Sequence, residues 1–138
     1  MKQISVFVEN QPGSLMRVTS ALNEARINIR AIASFDTPEF GILRLVVEQP
    51  EKAKEFLTEK GFVVGVQEVV GAELKDEKGN LNEMLKVLAD QGISVGYIYS
   101  FVIRENKAPV MVFHSDDNVK AEAALKEAGI LLIKDDEL

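Results

Sequence analysis

The chain has 138 residues, 46% of them hydrophobic and none cysteine, with a formal net charge of −6. That composition supports a packed core, argues against disorder, and excludes a disulfide framework, thiol catalysis and thiolate metal ligation. The acidic balance argues against a nucleic-acid backbone as partner, and no apolar run approaches the ~18 residues that a membrane span needs. Residues 1–66 carry eight basic and eight acidic side chains, and residues 67–138 carry eight and fourteen, so the whole excess lies in the second half. No basic, apolar leader follows Met1, and the expected location is cytoplasmic.

Gln3 to Glu9 alternates apolar and polar residues and predicts a strand, with Val6 and Val8 on one side and Ser5 and Phe7 on the other. Asn10-Gln11-Pro12-Gly13 is a turn. Behind it Leu15, Val18, Leu22 and Ala25 recur at helical spacing, with Ser14 as the expected N-cap of a helix reaching Arg26. A strand-to-helix turn of this kind aims the free N–H groups of a helix N-terminus outward, where they attract carboxylates. Ile27 to Phe35 alternates again and predicts a second strand. Asp36 to Gly41 is a turn, and Ile42 to Val47, almost continuously apolar, predicts a central third strand. Pro50 opens a helix with Ala53, Phe56 and Leu57 inward, Gly61 ends it, and Phe62 to Val66 predicts a fourth strand.

From Glu68 the order starts again. Glu68 to Leu74 predicts a strand and Lys75 to Asn80 a turn. Leu81, Met84, Leu85 and Leu88 line a helix that Asn80 and Glu83 open as a capping box. Gly92 closes it. Ile93 to Val102 and Pro109 to Phe113 predict strands around a turn at residues 104–107, and Asp116 or Asp117 caps a helix with Ala121, Ala124 and Leu125 inward. Gly129 ends that helix, Ile130 to Ile133 predicts the last strand, and the acidic residues 135–137 read as a frayed tail. Gly13 matches Gly79, and Leu22 matches Leu88, at an offset of 66; Leu57 matches Leu125, and Gly61 matches Gly129, at 68. The chain is an internal duplication in two domains, residues 1–66 and 67–138. The expected fold class is α+β: two ferredoxin-like βαββαβ units side by side, each an antiparallel sheet with helices on one face.

On these residues the sequence resembles the tandem ACT-domain proteins, and among them the small free-standing members with two ACT units and no catalytic domain. The likeness covers nearly the whole chain. It rests on the doubled element order, the turn Asn10-Gln11-Pro12-Gly13-Ser14-Leu15, Phe40-Gly41-Ile42-Leu43-Arg44 opening a strand, and Val95-Gly96-Tyr97-Ile98-Tyr99-Ser100-Phe101. The resemblance implies a non-catalytic regulatory protein that binds an amino acid where the first strand meets the first helix, near an interface between units. By matching position the ligand-binding residues are Asn10, Gln11, Pro12, Gly13, Ser14 and Leu15. The second repeat departs from the pattern, with Asp76, Glu77 and Lys78 at the places of Asn10, Gln11 and Pro12, and its two extra negative charges disfavour an arriving carboxylate.

Tyr97 and Tyr99 face one side of their strand, where the first repeat has Ala31 and Ala33. They are candidates for a pocket wall, the other reading being core or interface packing. Arg44 reads either as the partner of a carboxylate such as Glu48 or as part of a solvated sheet face. The single histidine, His114, makes neither a triad nor a metal site. No metal and no cofactor is expected. The expected partners are an amino-acid ligand, a second copy of the chain in a homodimer, and a metabolic enzyme. The alternative reading is a ligand-free module that docks on such an enzyme or oligomerises with it.

Overall fold

The computed structural model of the chain describes residues 1–75, 78–101 and 108–135. The turn residues Asp76 and Glu77, the end of the predicted strand at Val102, the second-repeat turn at 104–107 and, of the acidic tail at 135–137, Asp136 and Glu137 lie outside the described residues. Contacts divide the chain into two compact units, one of Lys2–Gln67 and one of Glu68–Leu138 together with Met1.

In the first unit β1 (Lys2–Glu9), α1 (Ser14–Glu24), β2 (Ile29–Asp36), β3 (Phe40–Val47), α2 (Pro50–Glu59) and β4 (Val63–Glu68) follow in turn, and the sheet order is β2-β3-β1-β4. The apolar third strand is central, as its sequence predicts. Alternation in β1 sends Ile4, Val6 and Val8 to the helical side, where they pack with Leu43, Leu45 and Val47 of β3, Val18, Ala21 and Leu22 of α1, and Ala53 and Leu57 of α2. The opposite side of β1 carries Gln3 and Ser5, both buried, and the Ser5 hydroxyl donates to Gln67 Oε1 at 2.7 Å. A buried hydroxyl needs such a partner to offset its lost hydration.

The second unit repeats the plan with β5 (Val70–Glu73), α3 (Asn80–Asp90), β6 (Val95–Phe101), β7 (Val110–Ser115), α4 (Asn118–Glu127) and β8 (Leu131–Leu132), in sheet order β6-β7-β5-β8. Its core joins Val70 and Ala72 to Met84, Leu88, Phe113, Ala121 and Leu125. The duplication extends to register. Ser5 faces Arg44 in the first sheet and Gly71 faces Val112 in the second, and both sheets break register at one place, between Ile29 and Ala31 and between Val95 and Tyr97. Phe35 pairs with Ile42 and Phe101 with Val110, so the offset changes from 66 to 68 in the connection between those two strands. No helix among the described residues is long and apolar enough to cross a membrane.

Both expected caps of the first helix in each repeat are corrected. The N-cap of α1 is Gly13, at φ 84° and ψ −3°, and that of α3 is Gly79, at φ 89° and ψ −6°; neither helix has a side-chain cap. A side-chain cap needs extended backbone at the N-cap. With a left-handed glycine there, Ser14 and Asn80 are already the first helical residues, and the Asn80 amide donates instead to the Lys75 carbonyl. Asp117, at φ −151°, does cap α4, accepting from the Lys120 N–H at 3.0 Å. The helical stripes also rotate from expectation: Leu15, Leu81 and Leu85 are exposed, and Ser14, Val18, Ala21 and Leu22 form the buried side of α1.

Leu22 and Leu88, at matching places, are almost fully buried, whereas Leu15 and Leu81 are 41% and 43% exposed. Leu22→Ala and Leu88→Ala are each expected to cost about 2–5 kcal/mol in urea unfolding. Leu15→Ala and Leu81→Ala should stay within about 0.5 kcal/mol. Similar losses at all four positions would contradict the rotated stripes.

Candidate functional site

The first turn is held by its own polar groups. The Gln11 N–H donates to the Glu9 carbonyl at 2.9 Å and the Ser14 N–H to the Gln11 carbonyl at 3.2 Å, which folds the chain back before the helix begins. The Gly13 carbonyl accepts the first helical bond, from the Arg17 N–H at 3.0 Å. A left-handed φ at this point is strained for any residue with a Cβ, which explains glycine. The N–H groups of Leu15 and Met16, in the first helical turn, have no side-chain cap.

Two amides fix the surroundings. Asn10 Nδ2 donates to Asp36 Oδ1 at 2.8 Å and to the Thr37 carbonyl at 2.9 Å, tying the turn to the tip of the β2–β3 hairpin. Gln11 Nε2 donates to Glu9 Oε2 at 2.6 Å. Strand order makes this possible: Gly41 of β3 pairs with Val8 on one side and Asp36 on the other. A Cβ on Gly41 would lie 3.2 Å from Asn10 Oδ1 and 3.3 Å from Val8 Cγ2, so a larger residue there would have to displace one of these side chains by a few tenths of an ångström.

These elements enclose a cavity of about 430 Å³, lined by Val8, Glu9, Asn10, Gln11, Pro12, Ser14, Leu15, Ser34, Phe35, Asp36 and Gly41. Five of the six turn residues singled out from the sequence thus meet at one cavity, and the sixth, Gly13, sets the turn. The Asn10 Nδ2 group braces the turn, and the same lining holds the carboxylates of Glu9 and Asp36. Ser34, Phe35, Asp36 and Gly41 escaped the sequence reading. The signal for them was the strand order, which aligns the ends of β1, β3 and β2.

Tyr97 and Tyr99 belong to the second unit and are absent from this lining. Both are half-buried on β6, and the Tyr97 ring stacks on His114 with centroids 5.6 Å apart and planes 15° apart. Arg44 does not pair with Glu48: its guanidinium lies 4.3 Å from the Phe35 ring centroid, and Glu48 takes Arg30 at 2.5 Å. Among the described residues no group of three or more His, Asp or Glu side chains is placed to hold a metal ion.

A family profile described as the ACT domain pair matches residues 1–138. Among solved structures, a protein of Bacteroides thetaiotaomicron superposes with a TM-score of 0.88 at 34% identity, covering 96% of this chain and 90% of that one. The ligand-free regulatory subunit of aspartate kinase from Thermus thermophilus superposes at 0.66 with 18% identity, covering 92% and 91%. The corresponding subunit from Thermus flavus superposes at 0.64 with 20% identity, covering 91% and 88%. No curated protein sequence matches the chain.

Asn10→Ala removes two hydrogen bonds that tie the turn to the hairpin, and is expected to lower stability by about 1–2 kcal/mol in urea unfolding. Asn10→Asp should cost at least as much, because it donates neither bond and faces Asp36. A neutral result for both would show that the turn is set by its backbone alone.

Proposed function

The chain belongs to the ACT domain pair family, and from that premise we propose that it is a non-catalytic regulatory protein that binds an amino acid at the strand-to-helix turn of the first unit. The observation that carries this reading is the composition of the cavity there. A zwitterion needs donors for its carboxylate and acceptors for its ammonium. The start of α1 supplies N–H groups without a side-chain cap, and Glu9 and Asp36 supply carboxylate acceptors in the same lining. The volume, about 430 Å³, lies within the range of small-molecule sites, about 300–1,000 Å³. Regulation follows if the bound and free forms differ in their affinity for a second copy of the chain or for a metabolic enzyme.

A docking module without a ligand is the second reading. What favours it is the exposure of Leu15 and Met16, 41% and 65%, side by side in the first turn of α1. Large apolar side chains exposed together are a feature of interaction surfaces.

A thermal-shift screen of the full chain against the common amino acids separates the two. A ligand at ~100 times its dissociation constant should add about 2.7 kcal/mol, whereas a docking module should not respond. For any amino acid that binds, Gly13→Val should abolish calorimetric binding, since valine at φ 84° distorts the turn. Gly79→Val, equally strained in the second unit, should reduce stability and leave the affinity of the folded protein unchanged. Equal loss of affinity from both would remove the assignment to the first turn.

A further inference from the structure

The face of the first sheet turned away from the helices carries an apolar row that crosses all four strands. Register sets Phe35 of β2 opposite Ile42 of β3, and Ile42 opposite Phe7 of β1. β4 neighbours β1, and because Val64 packs on the core, Val63 stands on the far face with Phe7. Phe40 joins the row from the next outward place on β3, its ring 5.7 Å from that of Phe7. Phe7, Phe40 and Val63 are 45%, 38% and 66% exposed, and apolar side chains exposed together mark interaction surfaces. Opposite charges stand at the two ends of the row. Arg17 reaches the β4 end, where it lines a cleft with Phe7, Phe62 and Val63 and lies 5.5 Å from the Phe62 ring centroid. Glu39 is exposed at the other end, next to Phe40 in the β2–β3 hairpin. Among the described residues neither Arg17 nor Glu39 forms an ion pair. Glu9 shares the cleft with Arg17, and its carboxylate takes the Gln11 amide.

A row with a cation at one end and a carboxylate at the other is complementary to itself. A two-fold axis through its middle sets Arg17 of each copy against Glu39 of the other, with the apolar side chains between them. Residues 1–66 carry as many basic as acidic side chains, so two first units meet without net repulsion. The second unit does not repeat the pattern. At the offset of 66, Phe7 becomes Glu73 and Arg17 becomes Glu83, and the whole excess of negative charge lies in that half. We propose that the far face of the first sheet is an isologous contact between two copies of this chain, centred on Phe7 and Phe40 and closed by two Arg17–Glu39 pairs. This contact goes beyond the amino-acid reading and does not depend on it.

Sedimentation velocity on the full chain, from low micromolar to millimolar concentration, reads the dimer directly. Association should be weak, because the row is small beside the about 800 Å² per partner of a standard interface. Phe7→Glu and Val63→Asp should each weaken it roughly tenfold or more. Both positions are exposed, and melting curves check that every variant is folded. Arg17→Glu and Glu39→Arg should each weaken the dimer severalfold, since either one creates two like-charge contacts across the axis. An equal mixture of these two variants should associate again as a heterodimer, in which both contacts are of opposite sign. That restored association should fall with added salt. A chain that stays monomeric at millimolar concentration would overturn the proposal. So would a dimer that neither Phe7→Glu nor Val63→Asp weakens, which would place the contact on another surface. A mixture of the two charge variants that associates no better than either alone would overturn the two-fold pairing of Arg17 with Glu39.

Discussion

The constraint on which the first unit depends is the reversal from β1 into α1 through one left-handed residue. The strand must deliver Ile4, Val6 and Val8 to the core, and the helix must deliver Val18, Ala21 and Leu22 to the same core only a few residues later. Gly13 makes that change of direction at φ 84°. Because the helix starts from a left-handed residue, no side chain is placed to cap it, and the polar groups of the turn are drawn into bracing the hairpin and the strand end. The uncapped helix start and the cavity are therefore consequences of one backbone requirement.

The two repeats show which positions that requirement controls. Register, the bulge in the second strand of each unit and the left-handed pairs Gly13 with Gly79 and Gly61 with Gly129 are the same in both, and left-handed Gly92 has the left-handed Arg26 at its place. The sheet side away from the helices diverges between the repeats. Ser5 becomes Gly71, Arg44 becomes Val112, and Ala31 and Ala33 become Tyr97 and Tyr99. The helical side must fill a closed volume at close to crystal packing density, so substitutions there are costly. The other side has no such internal constraint within a unit, and at the place of Ala31 and Val46 the second unit carries the stacked pair Tyr97 and His114.

Much of this was legible in the sequence because period and glycine placement report local backbone. The strands, the helix ends at Gly61 and Gly129, the central third strand and the Asp117 cap all follow from signals within a few residues. The misses have physical causes. Ser14 and Asn80 read as caps because the sequence shows a polar residue before an apolar stripe, while the choice between an extended and a left-handed N-cap lies in a dihedral angle. Leu15, Leu81 and Leu85 read as buried because a three-four spacing fits two adjacent stripes of a helix equally well. Asp36 and Gly41 were missed at the site because they reach it across three strands, and a local reading does not follow hydrogen-bonded pairing. Glu48 found Arg30 rather than Arg44 for the same reason.

The strand ends also bear on why one chain would carry two such units. At the offset of 66, Glu9 corresponds to Lys75 and Asp36 to Val102, so neither carboxylate of the first cavity has an acidic counterpart in the second repeat. Each turn still presents a left-handed glycine and an uncapped helix start, and each therefore keeps the backbone donors. At that place the carboxylate Glu9 has become the ammonium Lys75, while Asp76 and Glu77 bring two negative charges to the turn sequence itself. Backbone donors common to both turns cancel in a comparison between them, so the turns differ through their side chains. The duplication thus preserved the backbone geometry of the turn while its side chains diverged in charge.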